Sequence, residues 1–185
     1  MKCLAIAALI ALPLCACNSS GSGAAGQPSA PGPQQRWVCG REFENFAWGY
    51  QRRGVVLDGE GHVWSYAFKG TPASLPNAWH AKDFNALSED ELRARYDGAV
   101  DTGQRVDPDD IARHVALIID ASKAQPTEGR QVGADMGATV VYCLARNVPY
   151  ATYRQVLIDQ KGDFDRSNPS SAAKALETWL AGIFK

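Results

Sequence analysis

The residue types in this 185-residue chain that could carry acid–base or metal chemistry are few and scattered. His80 follows Trp79 in an irregular segment, residues 70–86, where Pro72 and Pro76 block regular pairing. A long loop carrying Trp and His is a place where a binding edge forms. The nearest carboxylate is Asp83, and one imidazole beside one carboxylate does not make a metal site. His114 falls next to the apolar stripe of a predicted helix and reads as a helix-edge residue. Asp107, Asp109 and Asp110 cluster where that helix begins, and capping together with the helix dipole accounts for all three. Asp163-x-Asp165-x-Ser167 starts like a calcium loop, but Asn168 stands where the sixth position needs Gly and Lys174 where the twelfth needs a chelating Glu. Residues 36–185 carry no nucleophile elbow, HExxH, P-loop or paired Cys/His spacing, so neither a metal nor a cofactor is expected. Active-site residues meet in space rather than in sequence, so a small hydrolase using His80 or His114 with neighbouring carboxylates remains the enzymatic alternative.

The aromatic residues form the clearest pattern. Phe46, Trp48 and Tyr50 alternate with Ala47, Gly49 and Gln51, and after Arg52-Arg53-Gly54 the chain continues as Val55-Val56-Leu57. Asp58-Gly59-Glu60-Gly61 supplies a turn, beyond which Trp64, Tyr66 and Phe68 alternate with Val63, Ser65 and Ala67. This predicts a hairpin with two aromatic faces, with Gly54 marking a bulge or a strand break. An exposed platform for sugar, peptide or lipid would draw on Trp48 and Trp64, joined by Trp79 and His80. The plainer alternative is a sheet whose aromatic side packs beneath helices, as expected of residues that are ordinary strand formers. Arg52 and Arg53, beside the bend, could bind an anion, but as exposed turn-side arginines they are expected to be simply solvated.

The elements that must position these residues are legible from caps and periodicity. Ser88 and Glu91 form a capping box flanked by Leu87 and Leu92, which predicts a short helix ending near Asp97-Gly98. Asp107 caps a second helix with Pro108 at its first position, and Ile111, Val115, Ile118 and Ile119 make its apolar stripe. Residues 138–145 are nearly continuously apolar and β-branched, which predicts a central strand, and residues 153–159 are a further strand or part of a helix. Asn168-Pro169 is placed to cap and open a last helix whose apolar face is Ala172, Leu176, Trp179, Leu180 and Ile183. The expected fold is one α+β domain, an antiparallel sheet packed on one face by two or three helices.

The N-terminus follows a different logic. Lys2 precedes an uncharged apolar run from Leu4 to Leu14, the layout of an export signal. At about 1.5 Å per residue the uncharged stretch ending at Cys17 is too short to cross a hydrocarbon core as a helix. Leu14-Cys15-Ala16-Cys17, followed at once by Asn, Ser and Gly, resembles the lipobox of bacterial lipoproteins. That resemblance covers only the first twenty or so residues. It implies removal of residues 1–16, a lipid on Cys17 that anchors the protein to the membrane, and residence in the bacterial cell envelope. Asn18 in place of Asp directs such a protein to the outer membrane, facing the periplasm, where there is one. An ordinary signal peptide is the rival, but cleavage after Ala16 would place bulky Leu14 where a small residue is wanted. Residues 17–35, with no charge and no large apolar side chain after Cys17, are expected to be a flexible tether. The Gly21-x-Gly23-x-x-Gly26 pattern within them has no strand before it and no helix after it, so it is no dinucleotide fingerprint.

With Cys3 and Cys15 leaving in the signal and Cys17 acylated, Cys39 and Cys143 remain, an even pair in an oxidising compartment and hence an expected disulfide. Loss of Lys2 from 19 basic residues against 20 acidic ones leaves a net charge of −2 on the processed chain. Near-neutrality argues against a nucleic-acid partner and against a polybasic hold on the membrane. Two function classes follow: a non-catalytic envelope domain that binds a protein or cell-wall component, of which the immunity factor of a secreted toxin would be one version, or the small hydrolase named above.

Overall fold

The computed structural model describes residues 37–47, 49–70, 86–147 and 150–185. Trp48, Trp79, His80 and Cys17, with the whole N-terminal signal and tether, lie outside them. In chain order the elements are β1 (Trp37–Asn45), β2 (Tyr50–Asp58), β3 (His62–Gly70), β4 (Leu87–Ser88), α1 (Glu89–Arg95), β5 (Val100–Arg105) and α2 (Pro108–Ala121). They are followed by β6 (Arg130–Gln131), β7 (Ala138–Asn147), β8 (Thr152–Gly162), β9 (Phe164–Ser167) and α3 (Ser171–Ile183). The sheet runs β5-β3-β2-β1-β7-β8-β9-β6, with β4 also pairing on β8, and every strand pair is antiparallel. The α+β antiparallel architecture is therefore present, with the sheet dominating the three helices among the described residues.

The aromatic hairpin is part of a three-strand meander. Phe46 falls in the connection between β1 and β2 rather than in a strand, and the alternation that starts at Tyr50 belongs to β2. The strand missed in the sequence is β1, whose WVCGREFEN alternation is masked by charged residues at positions that face inward. Gly54 is neither bulge nor break, since β2 runs through it in register with Glu42 of β1. A Cβ there would lie 2.3 Å from the Arg41 carbonyl oxygen, so Gly54 permits close approach of the two backbones. The exposed edge strand β5 was also unforeseen, for VDTGQR has too few apolar residues to register as a strand.

The sheet has two differently built faces. Leu57, Val63, Cys39, Cys143, Val156 and Ile158 pack against Ile111, Ile118 and Ala121 of α2 and Ala173, Leu176, Leu180 and Ile183 of α3. On the other face Val56, Tyr66, Val140, Tyr142, Leu144 and Tyr153 pack with Leu87, Leu92 and Tyr96 around α1. Helices thus meet both faces, not one, because the Leu87/Leu92 pair gives even the seven-residue α1 an apolar side. The capping box forms as predicted, Ser88 Oγ accepting from the Glu91 amide and Glu91 accepting from the Ser88 amide. Tyr153 donates to Glu89 at 2.6 Å, tying α1 to β8; desolvation and that carboxylate push its phenol up to about 12.

Two boundaries move. Ile119 leaves the α2 stripe and is 59 % exposed, because Ile118 and Ala121 take the inward positions. The N-cap of α3 is Ser170, not Asn168. Buried Asn168 instead supports that cap by accepting from the Ser170 amide and hydroxyl while donating to the Ala121 carbonyl. The β7 and β8 strands span and extend the predicted ones.

Cys39 and Cys143 face each other across β1 and β7, Cα atoms 3.9 Å apart, and are joined by a disulfide inside the α2/α3 core. The link closes a separation of 104 residues, for which the chain-entropy account gives up to about 4–5 kcal/mol. Replacing both by Ala should lower the thermal and urea midpoints substantially, and reductant should do the same to the native protein but not to the double variant. An unchanged urea midpoint would show that the bridge contributes nothing.

Candidate functional site

Period-two alternation along β1 and β2 sorts their charges onto opposite faces. Glu42, Glu44 and Arg52 lie on the α1 side; Arg41, Phe43 and Arg53 lie on the α2/α3 side. The α1 side holds the densest polar cluster of the described residues. Glu42, 1 % exposed, accepts from Arg52 Nε at 3.0 Å and Nη2 at 2.8 Å, a bidentate pair. Arg95, arriving from the end of α1, places Nη2 2.9 and 3.2 Å from the two carboxylate oxygens, and Tyr66 donates its hydroxyl at 2.7 Å. The expectation that Arg52 is solvated is therefore overturned: it is 2 % exposed, drawn in by a carboxylate one strand away.

Around this ion cluster stand phenols. Tyr96 and Tyr142 share a short hydrogen bond between their hydroxyls. Tyr142 occupies the space over Gly40, where a Cβ would come within 2.6 Å of its hydroxyl oxygen. Trp37 packs on Tyr96 at 4.8 Å between ring centroids, and edge-on to Trp64 at 6.2 Å. Burial alone would raise the Glu42 carboxyl, but Arg95 and Arg52 outweigh it and hold Glu42 below the ordinary carboxylate range. Glu44, beside it on the strand, goes the other way. Desolvation dominates there, with repulsion from Glu42 added, and Arg52 at 3.6 Å offsets only part.

These two glutamates make a sign test. The lowered Glu42 contributes stability that is present above the ordinary value of 4.5 and is lost as pH falls through its lower folded value. The raised Glu44 opposes folding as pH climbs from 4.5 through its higher folded value. At neutral pH Glu42→Gln should cost about 3–5 kcal/mol, since it strands two buried guanidiniums. Glu44→Gln should leave urea stability unchanged or raise it. Equal losses from the two substitutions would refute this account.

Two cavities flank the site. One, of about 380 Å³, opens beside Glu44 and Arg52 and is lined further by Gln155, Gln160, Leu157 and Arg166. It offers amide and guanidinium donors beside a carboxyl whose pKa is raised by burial, a set suited to hydrogen-bonding a polar ligand. The other, of about 690 Å³, lies on the opposite sheet face over Phe43, Val55, Ser65 and Thr139, with Arg41 and Arg53 at its sides.

Of the candidates from sequence, Trp64 and His114 are among the described residues. Trp64 is half-buried, its indole N–H donating to Asp58 at 2.8 Å, so it braces the β2–β3 turn rather than offering an open platform. His114 stacks on Trp179 at 4.2 Å, Nδ1 2.8 Å from the Asp110 carbonyl oxygen, while Trp179 donates its indole N–H to the Asp110 carboxylate at 2.7 Å. The trio clamps α2 to α3 and touches neither cavity. Asp107 caps α2 as read, and Asp163 accepts from the Met136 and Gly137 amides. Among the described residues no group of three His, Cys, Asp or Glu side chains is placed to hold a metal ion. Glu42, Arg95 and Tyr142 were missed; the available signal was the charge-rich GRE of β1 with QRR of β2, whose alternation places opposite charges on one face. No family model, no curated protein and no solved structure matches this chain.

Proposed function

We propose that the protein is a lipid-anchored envelope protein whose residues 36–185 form a non-catalytic binding domain for a protein or cell-wall partner. The observation that carries this reading is the cysteine pattern: Leu14-Cys15-Ala16-Cys17 supplies the lipobox, and the two cysteines outside it, Cys39 and Cys143, are joined. Disulfides persist in oxidising compartments, where such a leader would deliver the chain. The hydrolase alternative loses support from His114, whose ring and whose nearest carboxylate are both engaged in the α2–α3 contact. The polar cluster around Glu42 likewise reads as scaffold, because its carboxylate oxygens are already occupied by guanidinium and phenol donors.

Expression in a bacterial host followed by fractionation tests the anchor. The processed protein should start at an acylated Cys17 and pellet with membranes, whereas Cys17→Ser should block processing or release the protein. An intact mass with an unmodified N-terminus at Cys17 would end the lipoprotein reading. A His80→Ala/His114→Ala variant separates the classes: it should keep its function in cells if folded, and complete loss with unchanged stability would favour the hydrolase.

A further inference from the structure

We infer that the groove on the α2/α3 side of the sheet binds an acidic peptide segment of a partner protein, through Arg41 and Arg53. The inference rests on the binding-domain reading above and names the partner chemistry. The two helices cover only the part of this face around the disulfide, leaving Arg41, Phe43, Arg53, Val55, Ser65 and Thr139 around an open space of about 690 Å³. Phe43 pairs with Arg53 and Arg41 with Val55, so the two arginines are diagonal neighbours on adjacent strands, roughly 7–8 Å apart by the geometry of that relation.

Both guanidiniums are exposed, held in place, and without a carboxylate partner among the described residues. Arg41 donates to the Phe184 carbonyl at 2.8 Å, which fixes it against the end of α3. Arg53 lies over the Phe43 ring, 4.5 Å from its centroid, which orients the guanidinium while leaving its edge N–H donors to solvent. Glu42 touches the groove only from behind, its carboxylate being engaged by Arg52, Arg95 and Tyr66 on the other face. The contrast with Arg52 is the point: one strand carries two adjacent arginines, one fully matched and one positioned but unmatched. A pair of pre-oriented forks matches carboxylates in geometry as well as charge.

The shape selects among anionic partners. An open surface crossing several strands suits an extended segment better than a small closed-in anion. A recess with Phe43 and Val55 at its base suits side chains that enter it better than a flat bilayer surface.

The test uses the full chain in nonionic detergent micelles and a fluorescein-labelled peptide rich in Glu and Leu, with its Lys/Leu counterpart and the same micelles doped with phosphatidylglycerol as controls. The acidic peptide should bind, the basic one should not, and added salt should weaken binding. Arg41→Glu/Arg53→Glu should weaken it roughly tenfold or more, while Arg93→Glu/Arg130→Glu, with the same charge change elsewhere, should leave it within about twofold. Thermal melts of both variants verify folding, and Arg41→Gln/Arg53→Gln gives a milder version should the reversal unfold the chain. Absence of peptide binding, including a response to the anionic micelles alone, overturns the proposal, as does peptide binding indifferent to Arg41 and Arg53. That last outcome would leave the binding-domain reading standing, and the Cys17 experiment reports on the anchor independently.

Discussion

One buried carboxylate sets the terms for the rest of this fold. Glu42 lies in the centre of a sheet face and is surrounded by Arg52, Arg95 and Tyr66. Removing three charges from water is costly, and the cost is recovered only while every one of those contacts is made together. That condition reaches outward. Arg52 demands that β1 and β2 keep their register, because a slip of one residue would turn Glu42 toward the helices and Arg52 away from it. Arg95 demands that α1 dock where it does, although seven residues would not hold a helix by propensity alone. The cluster therefore specifies strand pairing and helix placement more than it adds net stability.

The two sheet faces divide the labour. The α2/α3 face is aliphatic and closed by the Cys39–Cys143 bridge, with the His114–Trp179–Asp110 clamp holding the helices to each other. The α1 face is aromatic and polar, a shell of Trp37, Tyr66, Tyr96 and Tyr142 in which the three tyrosine hydroxyls form hydrogen bonds that aliphatic residues cannot make. Neighbouring residues of β1 and β2 serve both, Cys39 and Leu57 on one side and Gly40 and Val56 on the other. A substitution in either strand is consequently felt in one core or the other.

What remains open is as informative as what is packed. Helices cover one end of the aliphatic face and leave the other end to Arg41, Phe43 and Arg53. A sheet face with positioned cations and no matching acids among the described residues is poorly explained by stability, since surface charges of this kind add little to folding. The proposed recognition of an anionic partner would give them a role.

Local chemistry made much of the architecture readable in advance. The capping box at Ser88, the Asp107-Pro108 helix start, the apolar β7 run and the α3 stripe each depend on residues close in sequence, so their physics is complete within a few positions. The cysteine pair was also legible, because counting needs no geometry once the cysteines of the expected leader are set aside. Strand β1, edge strand β5, the inward turn of Arg52 and the spent role of His114 were not. Each depends on a residue contributed from a distant part of the chain: Arg95 lies 53 positions from Glu42, and Trp179 lies 69 from Asp110. A Glu or Arg in a strand reads as solvent-facing until its counter-ion is known. Sequence determined the helices and strands whose caps and apolar runs are local, and which cysteines can pair; only tertiary structure decided which charges are buried and which are left exposed, because burial of a charge is decided by what the rest of the fold brings to it.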